Sequence, residues 1–235
     1  MGVRGKAIKI DSAYSVGYFL PKMASQAHGF IWEAAIKYRA FRVLRPYPYT
    51  APFDIPAEDN RFNGDENISI KTCKGDRAEC GDPLRIFGYA NYPTVTMIAL
   101  RYKQDTSTTK KLQHIHEISI GGAATHDILF GAVTEEEVKE LIALVKRLPP
   151  PGPGHDEIRA AVHAEKKRLN EKSGIIRFNP KMDSKGQKRI QCSIPKLSSF
   201  ISAYPGLLIS STTEPIVRGV EIPTSIESVP RQRNY

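Results

Sequence analysis

Long apolar runs are missing from this 235-residue chain. No window approaches the roughly 18 consecutive apolar residues of a membrane-spanning helix, so no span is expected. The opening Met1-Gly-Val-Arg-Gly-Lys-Ala-Ile-Lys9 lacks the apolar core of a secretion signal. Cysteine is scarce: Cys73, Cys80 and Cys192 are odd in number and spaced for neither a disulfide framework nor a zinc site, which needs paired ligands at close intervals. A reduced, cytoplasmic compartment is the expectation from these two features. No Gly-rich phosphate loop of the Walker kind and no nucleophilic-cysteine motif is present, and no internal repeat is visible. Acidic residues are also in deficit, 25 against 34 Lys and Arg.

What remains is an ordinary globular composition, 40% hydrophobic and 25% charged, long enough for one well-buried domain. The formal net charge of +9 and the pI near 9.4 point to a polyanionic partner, because Lys and Arg contacts to phosphate dominate nucleic-acid affinity.

Residues 1–28 read as a Gly/Ser/Pro-punctuated N-terminal extension. A helix is predicted from Gly29 to Ala40, stopped by Pro46 and Pro48. A β-hairpin follows, with Thr50–Ala57 on one arm, Asn67–Thr72 on the other and Asn63-Gly64 in the loop. Cys73 to Asp82 reads as a polar connector and Pro83–Phe87 as a short helical turn. The β-rich run Thr94–Tyr102 predicts a central strand, and Leu112–Ile120 alternates as a second. Thr134 with Glu137 predicts a capping box, followed by Val138, Leu141, Ile142, Val145 and Leu148 at helical spacing. Pro149–Gly154 forms a linker, and a charged helix covers about 155–172. From Gly174 the character changes to two strands around a basic loop and a tail rich in Ser, Thr and Pro. The boundaries are thus 1–28, a core at 29–173, and a C-terminal segment at 174–235, within one compact unit.

The chemistry concentrates on the hairpin. Ile68 and Ile70 take one face of their strand while Ser69, Lys71 and Cys73 take the other. A turn centred on Asn63-Gly64 sets Asp54 opposite position 73; a loop spanning Glu58 to Asp65 sets it opposite Ser69. Both registers place Asp54 on the face of Lys71. A carboxylate can hold a divalent metal that polarises a phosphoryl oxygen, and a nearby lysine can position a water or steady developing charge. One carboxylate is a thin magnesium site. Glu33 on the preceding helix is the first candidate for the second, followed by Asp82, Glu79 and Glu117.

A helix bearing Glu33, a strand bearing Asp54, then Ser69-Ile-Lys71 and a further strand and helix resemble the PD-(D/E)xK nuclease core, an α/β fold with a mixed central sheet flanked by helices. Phe53-Asp54-Ile, Asn67-Ile-Ser-Ile-Lys-Thr and Cys80-Gly-Asp82-Pro-Leu-Arg resemble type II restriction endonucleases more narrowly. The resemblance covers roughly residues 29–147. It implies a Mg2+-dependent endonuclease cutting both strands of a short duplex DNA site as a homodimer, with Asp54 as metal ligand and Lys71 as catalytic lysine. Ser69 stands where most members hold Asp or Glu; some members carry Ser there and draw the missing acid from another element. Phe53 replaces the usual Pro.

The segment after Gly174 would then be an added β-rich, DNA-contacting part. Arg177, Lys181, Lys185, Lys188 and Arg189 supply positive charge, and a two-stranded ribbon of this kind can enter a major groove, with Gln187, Arg189 and Gln191 as base readers. His114 and His116 share a strand face but lack a third ligand, and Trp32 reads as core. Two other functions fit the same residues: a DNA-binding protein without catalysis, and a repair enzyme that nicks one strand or removes a base.

Overall fold

Val95, Met97, Ile98, Ala99 and Leu100 make the first half of the run Val95–Gln104 apolar, and in the computed structural model this run sits well inside an eight-stranded mixed sheet. Residues 27–45, 47, 51–182 and 187–227 are described. In chain order the described regular elements are α1 (Ala27–Ala35), β1 (Asn67–Lys74), β2 (Arg77–Gly81), α2 (Pro83–Phe87), β3 (Val95–Gln104), β4 (Thr109–Ser119), α3 (Ala123–Phe130), α4 (Glu135–Lys146), α5 (His155–Lys172), β5 (Arg177–Met182), β6 (Lys188–Ile194), α6 (Leu197–Ala203), β7 (Leu208–Thr212), β8 (Ile216–Val217), β9 (Val220–Glu221) and β10 (Ser225–Glu227). The sheet order is β10-β4-β3-β1-β2-β6-β5, with β7 also on β4. β1 and β3 run parallel, and the other paired strands are antiparallel.

Pleating gives the sheet two apolar faces, each of which must be covered. One face carries Ile68, Ile70, Ile98 and Leu100 and packs on Trp32 and Ile36 from α1 and its continuation. The other carries Met97, Ala99, Cys73 and Cys192 and packs on Val138, Leu141, Val145, Val162 and Leu169 from α4 and α5. The chain is therefore an α/β protein with a mixed central sheet flanked by helices. The capping box at Thr134 is formed, with both Thr134 Oγ1 and the Glu137 carboxylate engaged, and Trp32 is fully buried.

Three local readings need correction. Residues 51–66 do not form the arm of a hairpin: a single bridge, Ile55 to Ile68, joins them to β1, followed by a 3-10 turn at Ala57–Asp59. Pro52 and Pro56 flank Ile55, and a residue without an N–H cannot extend a ladder. The segment 73–82 is not a connector but the end of β1 and all of β2, turning at Gly75-Asp76 with Gly75 at φ +65°. The helix at 29–40 is α-helical only to Ala35 and continues as a π-helix, Ile36–Phe41, closed by Arg42 at φ 63°. The C-terminal segment joins the core sheet: β6 pairs with β2, and β7 and β10 pair with β4.

Candidate active site

β1 is paired with β3 along its whole length, but it meets β2 only at Cys73–Ala78 and Lys74–Arg77. From there β2 turns to β6, so the two strands part and leave a fork beside Ile70. Asp54 fills the fork. Its backbone lies against Ile68, and its Oδ2 accepts the Ile70 amide at 2.6 Å. The Ile55–Ile68 bridge corresponds to the second of the two registers considered, with Asp54 opposite Ser69.

Lys71 reaches the same oxygen. Its Nζ lies 3.1 Å from Asp54 Oδ2 and 3.0 Å from the Ile70 carbonyl. Burial disfavours the ammonium most strongly of any single cause, but the charges of Asp54, Tyr89 and Cys80 together outweigh it and the Lys71 pKa rises. Burial likewise works to raise Asp54, yet the charges of Lys71 and Lys37 and the Ile70 N–H hold it below the ordinary value. The two groups are thus a mutually charged pair.

Glu33 arrives from the other side. Gly29 sits so close over β1 that a Cβ would meet Thr72 Oγ1 at 3.3 Å, which brings α1 down onto the strand. One turn later comes Glu33, within electrostatic reach of Asp54 and Lys71. Its carboxyl pKa is raised by burial and then by the charge of Asp54, against Lys37 and Lys71. Glu33 Oε1 is held by Lys37 Nζ at 2.6 Å, across the junction of α1 with the π-turn. Among the described residues, Asp54 Oδ1 and Glu33 Oε2 have no protein partner. These are hard oxygen donors, and Mg2+ is commonly held by one or two carboxylates with waters and substrate phosphate completing the shell. Both are donor types that suit that cation, and no group of three or more His, Cys, Asp or Glu side chains that could hold a metal is present among the described residues.

The remaining sequence candidates lie elsewhere. Ser69 is fully buried behind the pair, its hydroxyl 3.3 Å from Tyr89 Oη, which donates to the Pro52 carbonyl at 3.0 Å. Phe53 stacks on Tyr89 at 5.2 Å, so Ser69 and Tyr89 anchor the segment that carries Asp54. Asp82 is exposed and caps α2 by accepting Leu84 N at 3.0 Å. Glu79 pairs with Arg77 on the surface. Glu117 is bound at 2.6 Å by Arg218, which also holds Glu66 at 2.8 Å.

On the β5–β6 ribbon, strand alternation and the pairing of Lys181 with Arg189 and of Asn179 with Gln191 put Lys181, Arg189 and Gln191 on one face, with Gln187 just before β6. Gln187, Lys188 and Arg189 are exposed. Arg177 is turned inward, its Nη1 donating to the carbonyls of Gly174 and Ile176 at 2.7 Å each. Lys185 lies outside the described residues. His114 and His116 stack at 5.8 Å, and burial takes His116 down to about 4, so it is neutral at neutral pH.

Sequence reasoning passed over Lys37, Tyr89 and Arg218. The i,i+4 spacing of Glu33 and Lys37 was a readable signal; nothing in the sequence announced the other two. No protein-family model matches the chain, and no match was found among curated proteins or solved structures.

Proposed function

We propose that the protein is a Mg2+-dependent endonuclease that hydrolyses phosphodiester bonds at a short specific site in double-stranded DNA, acting as a homodimer, like the type II restriction endonucleases its sequence resembles. The observation that carries this reading is the Asp54–Lys71 pair, 3.1 Å apart in the fork between β1 and β2, with the Glu33 carboxylate sensing the Asp54 charge.

Asp54 and Glu33 would hold the cation. When bound it supplies Lewis acidity toward a phosphoryl oxygen and a more acidic water. Lys71, its pKa raised, remains an ammonium at neutral pH; it donates hydrogen bonds and stabilises charge developing on the phosphate rather than abstracting a proton. Ile70 N–H and the Tyr89–Ser69 contact orient Asp54. The polar face of the β5–β6 ribbon gives the basic chain a surface for duplex DNA, and the +9 charge favours its approach.

Incubation of supercoiled plasmid with the protein and Mg2+ tests the proposal. Discrete linear fragments with ends at one recurring short sequence are expected. Unchanged plasmid that is nevertheless bound points to a non-catalytic DNA-binding protein, and nicked circles alone to a single-strand repair enzyme.

A further inference from the structure

Arg85 is a guanidinium beside this centre without a carboxylate partner. It lies on α2, directly after β2. Its Nη2 donates to the Cys80 carbonyl at 3.4 Å, a long and solitary bond among the described residues, and it forms no ion pair there. Its Nε is buried and has no hydrogen-bond partner. Arginine carries five N–H donors in a fixed fork suited to an oxyanion, so most of that capacity is unused.

The topology aims this capacity at the fork. β1 and β2 last pair at Cys73–Ala78, and Cys80 lies two residues further along β2, on the side of the fork away from β1. Arg85 is bound to the Cys80 carbonyl and thus stands on the opposite bank from Lys71. Gly81, at φ +86°, allows the approach: a Cβ there would meet Arg85 Nη2 at 3.1 Å. The Arg85 charge is felt at Asp54, Lys71 and Tyr89, which places the guanidinium within electrostatic reach of the pair. A cation held next to another cation, with a donor left dry and unpaired, is the arrangement expected where an anion completes the site.

We infer that Arg85 binds the non-bridging oxygens of a DNA phosphate at the Asp54–Lys71 centre and stabilises the charge that gathers there during hydrolysis. The inference rests on the endonuclease reading for its catalytic part and on geometry alone for its phosphate-binding part.

Two measurements on the full chain separate these parts. In the first, the arginine side chains are labelled with 15N and the Arg85 Nε–H resonance is assigned by its loss in Arg85→Lys. A short DNA duplex is then added in EDTA. The resonance should move downfield and exchange more slowly with water. In the second, single-turnover plasmid cleavage with Mg2+ is compared between variants whose circular dichroism matches wild type. Arg85→Ala should cut roughly 10²–10³-fold more slowly, the range for loss of one transition-state donor, with duplex affinity reduced far less. Arg85→Lys should be intermediate, and added guanidinium should restore part of the Arg85→Ala rate. An Nε–H resonance that does not move overturns the inference whatever the plasmid assay shows, as does Arg85→Ala cleavage within a few-fold of wild type. A resonance that moves in a protein that cuts nothing upholds Arg85 as a phosphate ligand and refutes the endonuclease reading instead.

Discussion

Asp54 and Lys71 bind each other, and their pairing has a consequence for stability. The side chains are 17% and 9% exposed, so removing either partner leaves a nearly buried charge uncompensated. Asp54→Ala should therefore cost about 3 kcal/mol, in line with broken buried pairs. Asp54→Asn combined with Lys71→Met should cost less than the sum of the single changes, which urea denaturation of the four proteins would show. If the single changes prove neutral, the pair is not held as described. The pH dependence follows from the two shifts. Asp54 is lowered, so its contribution is present above the ordinary carboxylate pKa and is lost as pH falls through the depressed value. Lys71 is raised, so its contribution is present below the ordinary lysine pKa and is lost as pH rises through the elevated value. The pair stabilises the fold across the neutral range between them. At this scale the sequence was informative: strand alternation put Asp54, Ser69 and Lys71 together. It could not show that Ser69 faces inward to Tyr89, because burial of a strand residue depends on what packs over it.

Short elements are fastened to the sheet by charge. The β8–β9 turn holds Arg218 at φ 51°, a strained position for a residue with a side chain. From there it binds Glu66 and Glu117, which are 5% and 7% exposed, while Thr96 and Asn60 complete the shell of Glu66. Arg218→Ala would leave two buried carboxylates without their cation and should cost about 3–5 kcal/mol at neutral pH. In that variant both carboxyl groups have raised folded-state pKa values. The sign is then opposite to that of Asp54: their stability contribution is greatest below the unfolded pKa and falls as pH rises. The gap between variant and wild type should narrow from pH 7 toward pH 5, as read by urea midpoints; a gap that widens would contradict the triad. The β5–β6 ribbon makes a different prediction. Lys188→Ala should weaken binding to all DNA sequences and reduce the slope of log affinity against log salt by about one. Gln187→Ala or Gln191→Ala should cost roughly 1–3 kcal/mol at particular base pairs. Equal, small effects from all three would place recognition elsewhere. Periodicity revealed α4 and β4, β-rich composition revealed β3, and α5 was read as a charged helix after the Pro/Gly linker. β2 was hidden because Gly75-Asp76 is a two-residue turn inside a polar stretch, and β7 to β10 because strands this short carry no period.

For the whole molecule, an α/β fold with a mixed central sheet flanked by helices was expected through the resemblance to the PD-(D/E)xK core, and the chain has that coarse architecture. The long-range joins were not legible. That β6 would extend the sheet through β2, or that β7 and β10 would share β4, depends on pairings between distant segments that no local pattern encodes. Those joins matter to the proposed function, because the strand that carries Arg189 and Gln191 is the direct neighbour of β2, and β2 forms one side of the fork that holds Asp54 and Lys71. The β5–β6 ribbon and the Asp54–Lys71 fork thereby belong to one continuous sheet. Among the described residues no helix is long and apolar enough to cross a membrane. The most direct measurement of the central claim is the rate at which Lys71→Ala linearises a plasmid in Mg2+, relative to wild type and with matching circular dichroism spectra. The account predicts discrete, sequence-defined fragments from wild type and no detectable cutting by the variant; cleavage by Lys71→Ala at close to the wild-type rate would contradict it.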